Sequence, residues 1–242
     1  VVIYKAGEII PQVDRVILEL RPKSSQLIYY EAELKRQYPE LTFERPDGEA
    51  VYRVQGTSSD LILKRSLEHY ASRVALDIDG LGEKNVVALV DAGLVKDIAD
   101  IYTVTKDDLL KLERFAELSA DNLISAIKAK KTPELERFIF GLGIRHVGAQ
   151  TAIDLANHFE SVEKMSQTTL DELRSINGIG EVVAESIMAW FGDPDNITLL
   201  AKFKSLGVEP NFVSKANGPL VGKSFVITGS LETMSRDIAS DK

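Results

Sequence analysis

The chain repeats itself. Counting forward from Gly82, the same pattern returns at Ala116, Gly148 and Gly180, at intervals of 34, 32 and 32 residues. Each of these four positions follows an apolar residue (Leu81, Phe115, Val147, Ile179), and each has a small or apolar residue four places later (Val86, Ala120, Ala152, Ala184). A repeat of this length fixes architecture before any local assignment, because each copy is one supersecondary unit that buries its apolar face against its neighbours. From about Leu67 to Ser205 apolar residues recur at spacings of three and four, with breaks every dozen or so residues, so the repeated unit is made of short helices.

The breaks carry the chemistry. Gly80-Leu81-Gly82 and Gly178-Ile179-Gly180 each precede a helix-compatible run, and His146-Val147-Gly148 occupies the corresponding place in the third copy. This pattern predicts a helix, a tight hairpin, and a second helix whose first turn leaves its amides unpaired. Glycine serves such a hairpin by accepting positive φ and by lacking a Cβ that would block the approach of another backbone. The apolar residue between the glycines plugs the gap between the helices. Unpaired amides at a helix start form an anion site, and a phosphodiester oxygen is a natural occupant. The pattern is the helix-hairpin-helix motif of proteins that hold DNA without reading its sequence. A lone Gly-apolar-Gly before a helix is more often an ordinary helix–helix turn; four copies in register single out DNA binding.

The candidate contact residues are therefore Gly80, Gly82, Lys84, Arg145, His146, Gly148, Gly178 and Gly180, with Lys128, Lys130 and Lys131 nearby. His146 stands where the first glycine would be, as either a polar loop residue or a phosphate donor. The second copy, Arg114-Phe115-Ala116, lacks both glycines and is expected to be structural. Glu83 and Glu181 read as complements to their helix dipoles. Between Arg73 and Ser205 there are 15 Lys and Arg against 22 Asp and Glu, a net of −7. Contact through backbone amides tolerates that balance, since it needs no basic side chain.

The flanks read differently. Val1 to Arg21 alternates like strand, starting inside an element with no signal-peptide layout, and its partner strands are expected upstream. A short helical pattern passes through Tyr30–Lys35, and Leu41–Glu44 and Glu49–Val54 flank Pro46-Asp47-Gly48 as a hairpin. Gly207 to Gly218 reads as a linker, and Gly222–Gly229 as a buried strand entering a turn. The expected divisions are 1–22, 23–66, 67–205, 206–218 and 219–242. With no cysteine and three dispersed histidines, His69, His146 and His158, a thiolate nucleophile or a closed zinc site is not expected. No apolar run approaches the roughly 20 residues of a membrane span, so the chain is expected to be soluble.

Three stretches resemble the C-terminal half of bacterial NAD-dependent DNA ligases: Lys5-Ala6-Gly7-Glu8-Ile9-Ile10-Pro11-Gln12-Val13, Leu76–Lys84, and Leu142-Gly143-Ile144-Arg145-His146-Val147-Gly148. Gly222–Gly229 resembles the first strand of a BRCT domain. The resemblance implies a mainly α fold of four tandem helix-hairpin-helix motifs (67–205), preceded by the end of an OB barrel (1–22) and followed by a truncated BRCT start (219–242). Residues 23–66 stand, without cysteine, where that family carries a four-cysteine zinc finger. It further implies a non-catalytic segment, monomeric and cytoplasmic, that holds nicked duplex DNA independently of sequence for phosphodiester bond formation. NAD and Mg would serve the parent enzyme, with no catalytic or metal-binding residue in this segment. Lys5 resembles a basic residue on the barrel's DNA-facing side. The competing expectations are a helix-hairpin-helix scaffold of a non-ligase repair or recombination protein, and a protein-recruitment module.

Overall fold

The computed structural model describes residues 1–6, 10–25, 28–39, 41–45, 51–55 and 60–213. The chain divides between residue 59 and Asp60 into two units. In the first, β1 (Val2–Ala6) pairs antiparallel with β2 (Ile10–Arg15), Ile3 opposite Val13 and Lys5 opposite Pro11. A 3-10 turn at Leu18–Leu20 is followed by α1 (Tyr30–Gln37), whose exposed face carries Glu31–Lys35 and Glu33–Arg36 pairs. Hydrogen bonds from Arg36, then Gln37, hold the Glu33 carboxyl down at about 2. Strands β3 (Thr42–Glu44) and β4 (Arg53–Gln55) pair antiparallel with Phe43 opposite Val54. The expected turn at Pro46-Asp47-Gly48 lies outside the described residues. Among those of this unit Leu41 is the one buried side chain, while Ile3, Val13, Leu18 and Leu20 are exposed. Two-stranded ribbons bury too little surface to be stable alone.

Among the described residues, the second unit has only helices as its regular elements. It comprises α2 (Asp60–Ala71), α3 (Glu83–Asp91), α4 (Lys106–Leu110), α5 (Glu117–Ala129), α6 (Leu135–Gly141), α7 (Ala149–Phe159), α8 (Val162–Ser166), α9 (Leu170–Ser175), α10 (Glu181–Gly192) and α11 (Pro194–Ser205), with a 3-10 run Ile98–Thr103 between α3 and α4. Four of these helices start on a side-chain cap. Thr105, Ser161, Thr169 and Asp193 each accept a first-turn amide of α4, α8, α9 and α11 respectively.

The helical unit is longer at both ends than the sequence suggested. Its first helix begins at Asp60 rather than near Leu67, because Leu63 and Leu67 both pack into the core. At the other end, the expected linker from 206 is packed as far as Phe212: Val208 is buried and Phe212 lies against the core. The rest of that linker and the expected BRCT strand lie outside the described residues.

The core is pinned by aromatic side chains from distant segments. Phe203 of α11 stacks on Tyr70 of α2 (ring centroids 5.6 Å apart) and meets Phe138 of α6 (5.2 Å) and Tyr102 of the 3-10 run (6.1 Å) edge-on. The Tyr102 hydroxyl donates to the Lys130 carbonyl at 3.1 Å, so the Tyr70 hydroxyl donates to Tyr102 across 3.0 Å. Burial pushes the Tyr102 hydroxyl up to about 12 and Tyr70 well above its ordinary value, so both remain protonated donors. Beside this cluster Lys202 Nζ bridges Asp97 (2.5 Å) and Asp100 (2.6 Å).

The segment after α11 crosses back over the chain between α5 and α6. The Glu209 amide donates to the Lys131 carbonyl (2.8 Å), the Asn211 amide to Pro133 (2.7 Å), and the Leu135 amide to Asn211 (2.9 Å). Lys131 Nζ donates to the Leu206 carbonyl at the end of α11 (2.7 Å). This lysine, expected near the DNA-facing cluster, is thus engaged in holding the C-terminal helix.

Phe203→Ala is expected to cost about 3–5 kcal/mol, the range for deleting a fully buried aromatic ring, read from denaturant unfolding. A loss below about 1 kcal/mol would mean the core closes over the gap. Acid should act through Asp100. Partial burial works to raise its carboxyl, but bonds from Lys202 and from the Lys96 and Asp97 amides outweigh it and hold it below the ordinary value. The ionised form thus adds stability above the unfolded pKa of about 4, which is lost as pH falls through the lowered folded value. Lys202→Met should therefore destabilise at neutral pH, with the deficit shrinking in acid. Denaturation midpoints that differ by the same amount at every pH would contradict this.

Candidate nucleic-acid interface

All four repeats close the same way. In each, the amide of the plug residue donates to the carbonyl three positions earlier: Leu81 to Ile78 (3.2 Å), Phe115 to Leu112 (3.1 Å), Val147 to Ile144 (3.0 Å) and Ile179 to Ile176 (3.1 Å). Leu81, Val147 and Ile179 are buried, and Phe115 is half-buried against the core. The next residue is the N-cap. Its carbonyl accepts from the residue four places on, at 3.0 Å for Val86 to Gly82, 2.9 Å for Ala120 to Ala116, 2.9 Å for Ala152 to Gly148, and 3.0 Å for Ala184 to Gly180. Val86, Ala120, Ala152 and Ala184 are fully buried. The recurrence in the sequence is therefore the packing of each second helix against its own hairpin.

Three of the hairpins are conformationally alike. Their first positions are left-handed, with φ +81° at Gly80, +66° at His146 and +83° at Gly178. Their N-caps have φ and ψ of −85° and 175° at Gly82, −83° and 177° at Gly148, and −83° and 175° at Gly180. The two glycine positions thus do different jobs. The first supplies positive φ, a conformation that costs His146 something of order 1–2 kcal/mol. The second has an ordinary extended backbone that any residue adopts, so the positive-φ argument does not apply to Gly82, Gly148 or Gly180. A Cβ built on any of those three meets no atom within 4 Å. Nothing among the described residues requires the bare Cα there.

Nor are these helix starts closed from within. In contrast to α4, α8, α9 and α11, no side chain caps α3, α7 or α10. The amides of Gly82, Glu83 and Lys84, of Gly148, Ala149 and Gln150, and of Gly180, Glu181 and Val182 have no acceptor among the described residues. Each group lies on an exposed loop. The arrangement can accept hydrogen-bond acceptors carrying negative charge.

The second hairpin is closed at its N-cap only, and its Glu117 and Leu118 amides have no acceptor among the described residues. Arg114 is not left-handed, and the Ala116 amide donates to Ser119 Oγ (2.9 Å), whose hydroxyl donates back to the Ala116 carbonyl (2.9 Å). At its mouth Lys106 Nζ pairs with Glu117 (2.5 Å) and Asp121 (2.8 Å). Hydrogen bonds donated to Asp121, then Glu117, raise the Lys106 ammonium above its ordinary value.

Lys84, Arg145 and His146 are exposed on the first and third hairpins, beside the open amides. In the first, Asn85 Nδ2 donates to the Gly80 carbonyl (2.7 Å) and fixes the loop. Lys5 is exposed on β1, in the first unit. Sequence reasoning missed the ion pair between Arg174 of α9 and Glu181, the first residue of α10; its signal was an acid directly after the second glycine.

Known proteins bear on this geometry. Residues 72–129 match a SAM-like helix-hairpin-helix tandem, and residues 137–200 match a helix-hairpin-helix motif, so the four hairpins fall into two pairs. The chain is 43% identical to a DNA ligase of Trichlorobacter lovleyi, aligning over 99% of this chain and 35% of that protein. It is 39% identical to the DNA ligases of Bacillus thuringiensis and Bacillus anthracis, over 100% of this chain and 37% of each. The chain spans about a third of the length of the curated relatives it matches. Along its whole length the chain is similar to the matched third of these DNA ligases, and its second unit carries two helix-hairpin-helix pairs.

Proposed function

We propose that this chain is a non-catalytic, DNA-holding part of an NAD-dependent DNA ligase. Its hairpins grip nicked duplex DNA through backbone amides, without reading base sequence, while phosphodiester bond formation takes place elsewhere in the enzyme. One observation carries the reading. Three hairpins present uncapped first-turn amides behind a glycine where an added Cβ would meet no atom of the described residues. A backbone approaching from outside fits that space, and phosphate is the anion such a site selects. The kinship with ligases favours this over a scaffold of a non-ligase repair protein. We further assign the segment to the bacterial cytoplasm, acting as a monomer.

NAD and magnesium belong to the parent reaction. No step through either group is assigned to this chain.

Gly180→Val tests the reading most directly. The substitution has room in the fold and an ordinary φ, so helicity by circular dichroism should persist, while duplex affinity falls by at least about tenfold from the lost hydrogen bonds to charged oxygens. Ala116→Val should bind as the parent does, since Ser119 already takes that hairpin's N-cap amide. Equal losses from both substitutions would reassign which hairpins touch DNA, and no loss from either would leave these glycines as helix caps only.

Salt dependence provides a second measurement. With few phosphates neutralised by side chains, the slope of log affinity against log salt should be shallow, on the order of −2 to −4. Arg145→Ala should weaken binding moderately and make the slope shallower by about one. A strong preference for one base sequence at constant duplex shape would contradict the assignment.

A further inference from the structure

The second hairpin of each pair carries a wiring that the first lacks. Glu181, the first residue of α10, has its exposed carboxylate held by the Arg174 guanidinium, which also lies 3.8 Å from Asp171. Glu117, the first residue of α5, is held by Lys106. In the other two hairpins the same position is taken by Glu83, with no ion pair among the described residues, and by Ala149.

Stability does not account for the pair in the fourth hairpin. A carboxylate in the first turn of a helix is already favoured by the unpaired amides and needs no counter-ion, and an exposed pair gains little over its solvated partners. The location is what distinguishes it. Glu181 contributes one of the open amides of the fourth hairpin and sets a negative charge at the mouth of a site that attracts anions. A phosphodiester oxygen arriving at the Gly180 and Glu181 amides meets that carboxylate within one helical turn. The Arg174 guanidinium, already bonded to Glu181, is within a side chain's length of the incoming oxygen. Its planar fork suits a phosphate as well as a carboxylate.

We propose that Arg174 is a phosphate-contact residue of the fourth hairpin, held in reserve by Glu181 until an arriving phosphodiester takes the carboxylate's place. This rests on the DNA-holding reading and adds regulation to the same site. Each encounter exchanges one ionic partner for another, so Arg174 contributes less net affinity than a solvated arginine, and Glu181 acts as a brake that speeds release. The corresponding exchange at the second hairpin is blocked. Lys106 is held by two carboxylates, and the neighbouring Ala116 amide is occupied by Ser119.

The experiment measures duplex oligonucleotide affinity across a salt series for Arg174→Ala, Glu181→Gln and Lys106→Ala, with Gly180→Val alongside and thermal unfolding as the folding control. Glu181→Gln should tighten binding about fivefold, the weight of one unit charge some 4 Å away in water, and steepen the salt slope by about one. Arg174→Ala should weaken binding and make the slope shallower by about one, and Lys106→Ala should change neither. Opposite signs are the signature, because a purely structural ion pair broken from either side gives effects of the same sign. Glu181→Gln binding no tighter than the parent, or Arg174→Ala binding equally well, overturns the inference. If Gly180→Val loses binding in that same series, the DNA-holding reading survives its failure; if Gly180→Val binds like the parent, both fall.

Discussion

The amide of each plug residue reaches back three positions to a carbonyl, and that short bond decides where everything else in the helical unit points. It accompanies the burial of Leu81, Val147 and Ile179, each preceded by a left-handed residue and followed by an extended N-cap that opens a helix, whereas at Phe115 the same bond forms without a left-handed neighbour. The buried residue at the fourth place of that helix then locks the two helices together. Once those positions are committed, the first-turn amides can only face outward. The open amides thus follow from packing, and their use requires nothing beyond a surface left uncovered.

Part of this was legible in the sequence because it is written in local spacing. A unit that repeats a helix, a tight turn and a helix places its plug, its cap and its buried small residue at fixed offsets, so Gly82, Gly148 and Gly180 stood out from spacing alone. Their division of labour did not. The residue type is the same at Gly178 and Gly180, yet one is left-handed and the other extended, and only backbone geometry separates the two roles. Asp60 as the start of α2 was hidden for another reason. Leu63 faces the same core as Leu67, but it sits next to a stretch of strand-like composition that obscured the change of period.

Contacts between segments distant in the chain were not legible. Lys202 finds Asp97 across 105 positions and Lys131 finds Leu206 across 75, and in an acidic chain any lysine has many eligible partners. Lys131 reads as part of a basic cluster with Lys128 and Lys130 until the fold shows that its ammonium is occupied. The crossing of Glu209 and Asn211 over residues 131–135 is made by main-chain groups, which leave no residue-type signature at all.

That crossing bears on the order in which the molecule comes together. The chain between the second and third hairpins is tied down by residues 209–211, and Phe203 completes a ring cluster whose other members come from α2, the 3-10 run and α6. A chain emerging from the ribosome makes its N-terminal parts first. The first hairpin pair has all its own residues well before Phe203 is made, so Tyr70, Tyr102 and Phe138 wait through part of synthesis for the ring that covers them. A nascent chain halted just short of Phe203 would hold two formed hairpin pairs and an open apolar seam, the state in which an unfinished copy is most exposed to chaperones and to other unfinished copies of itself.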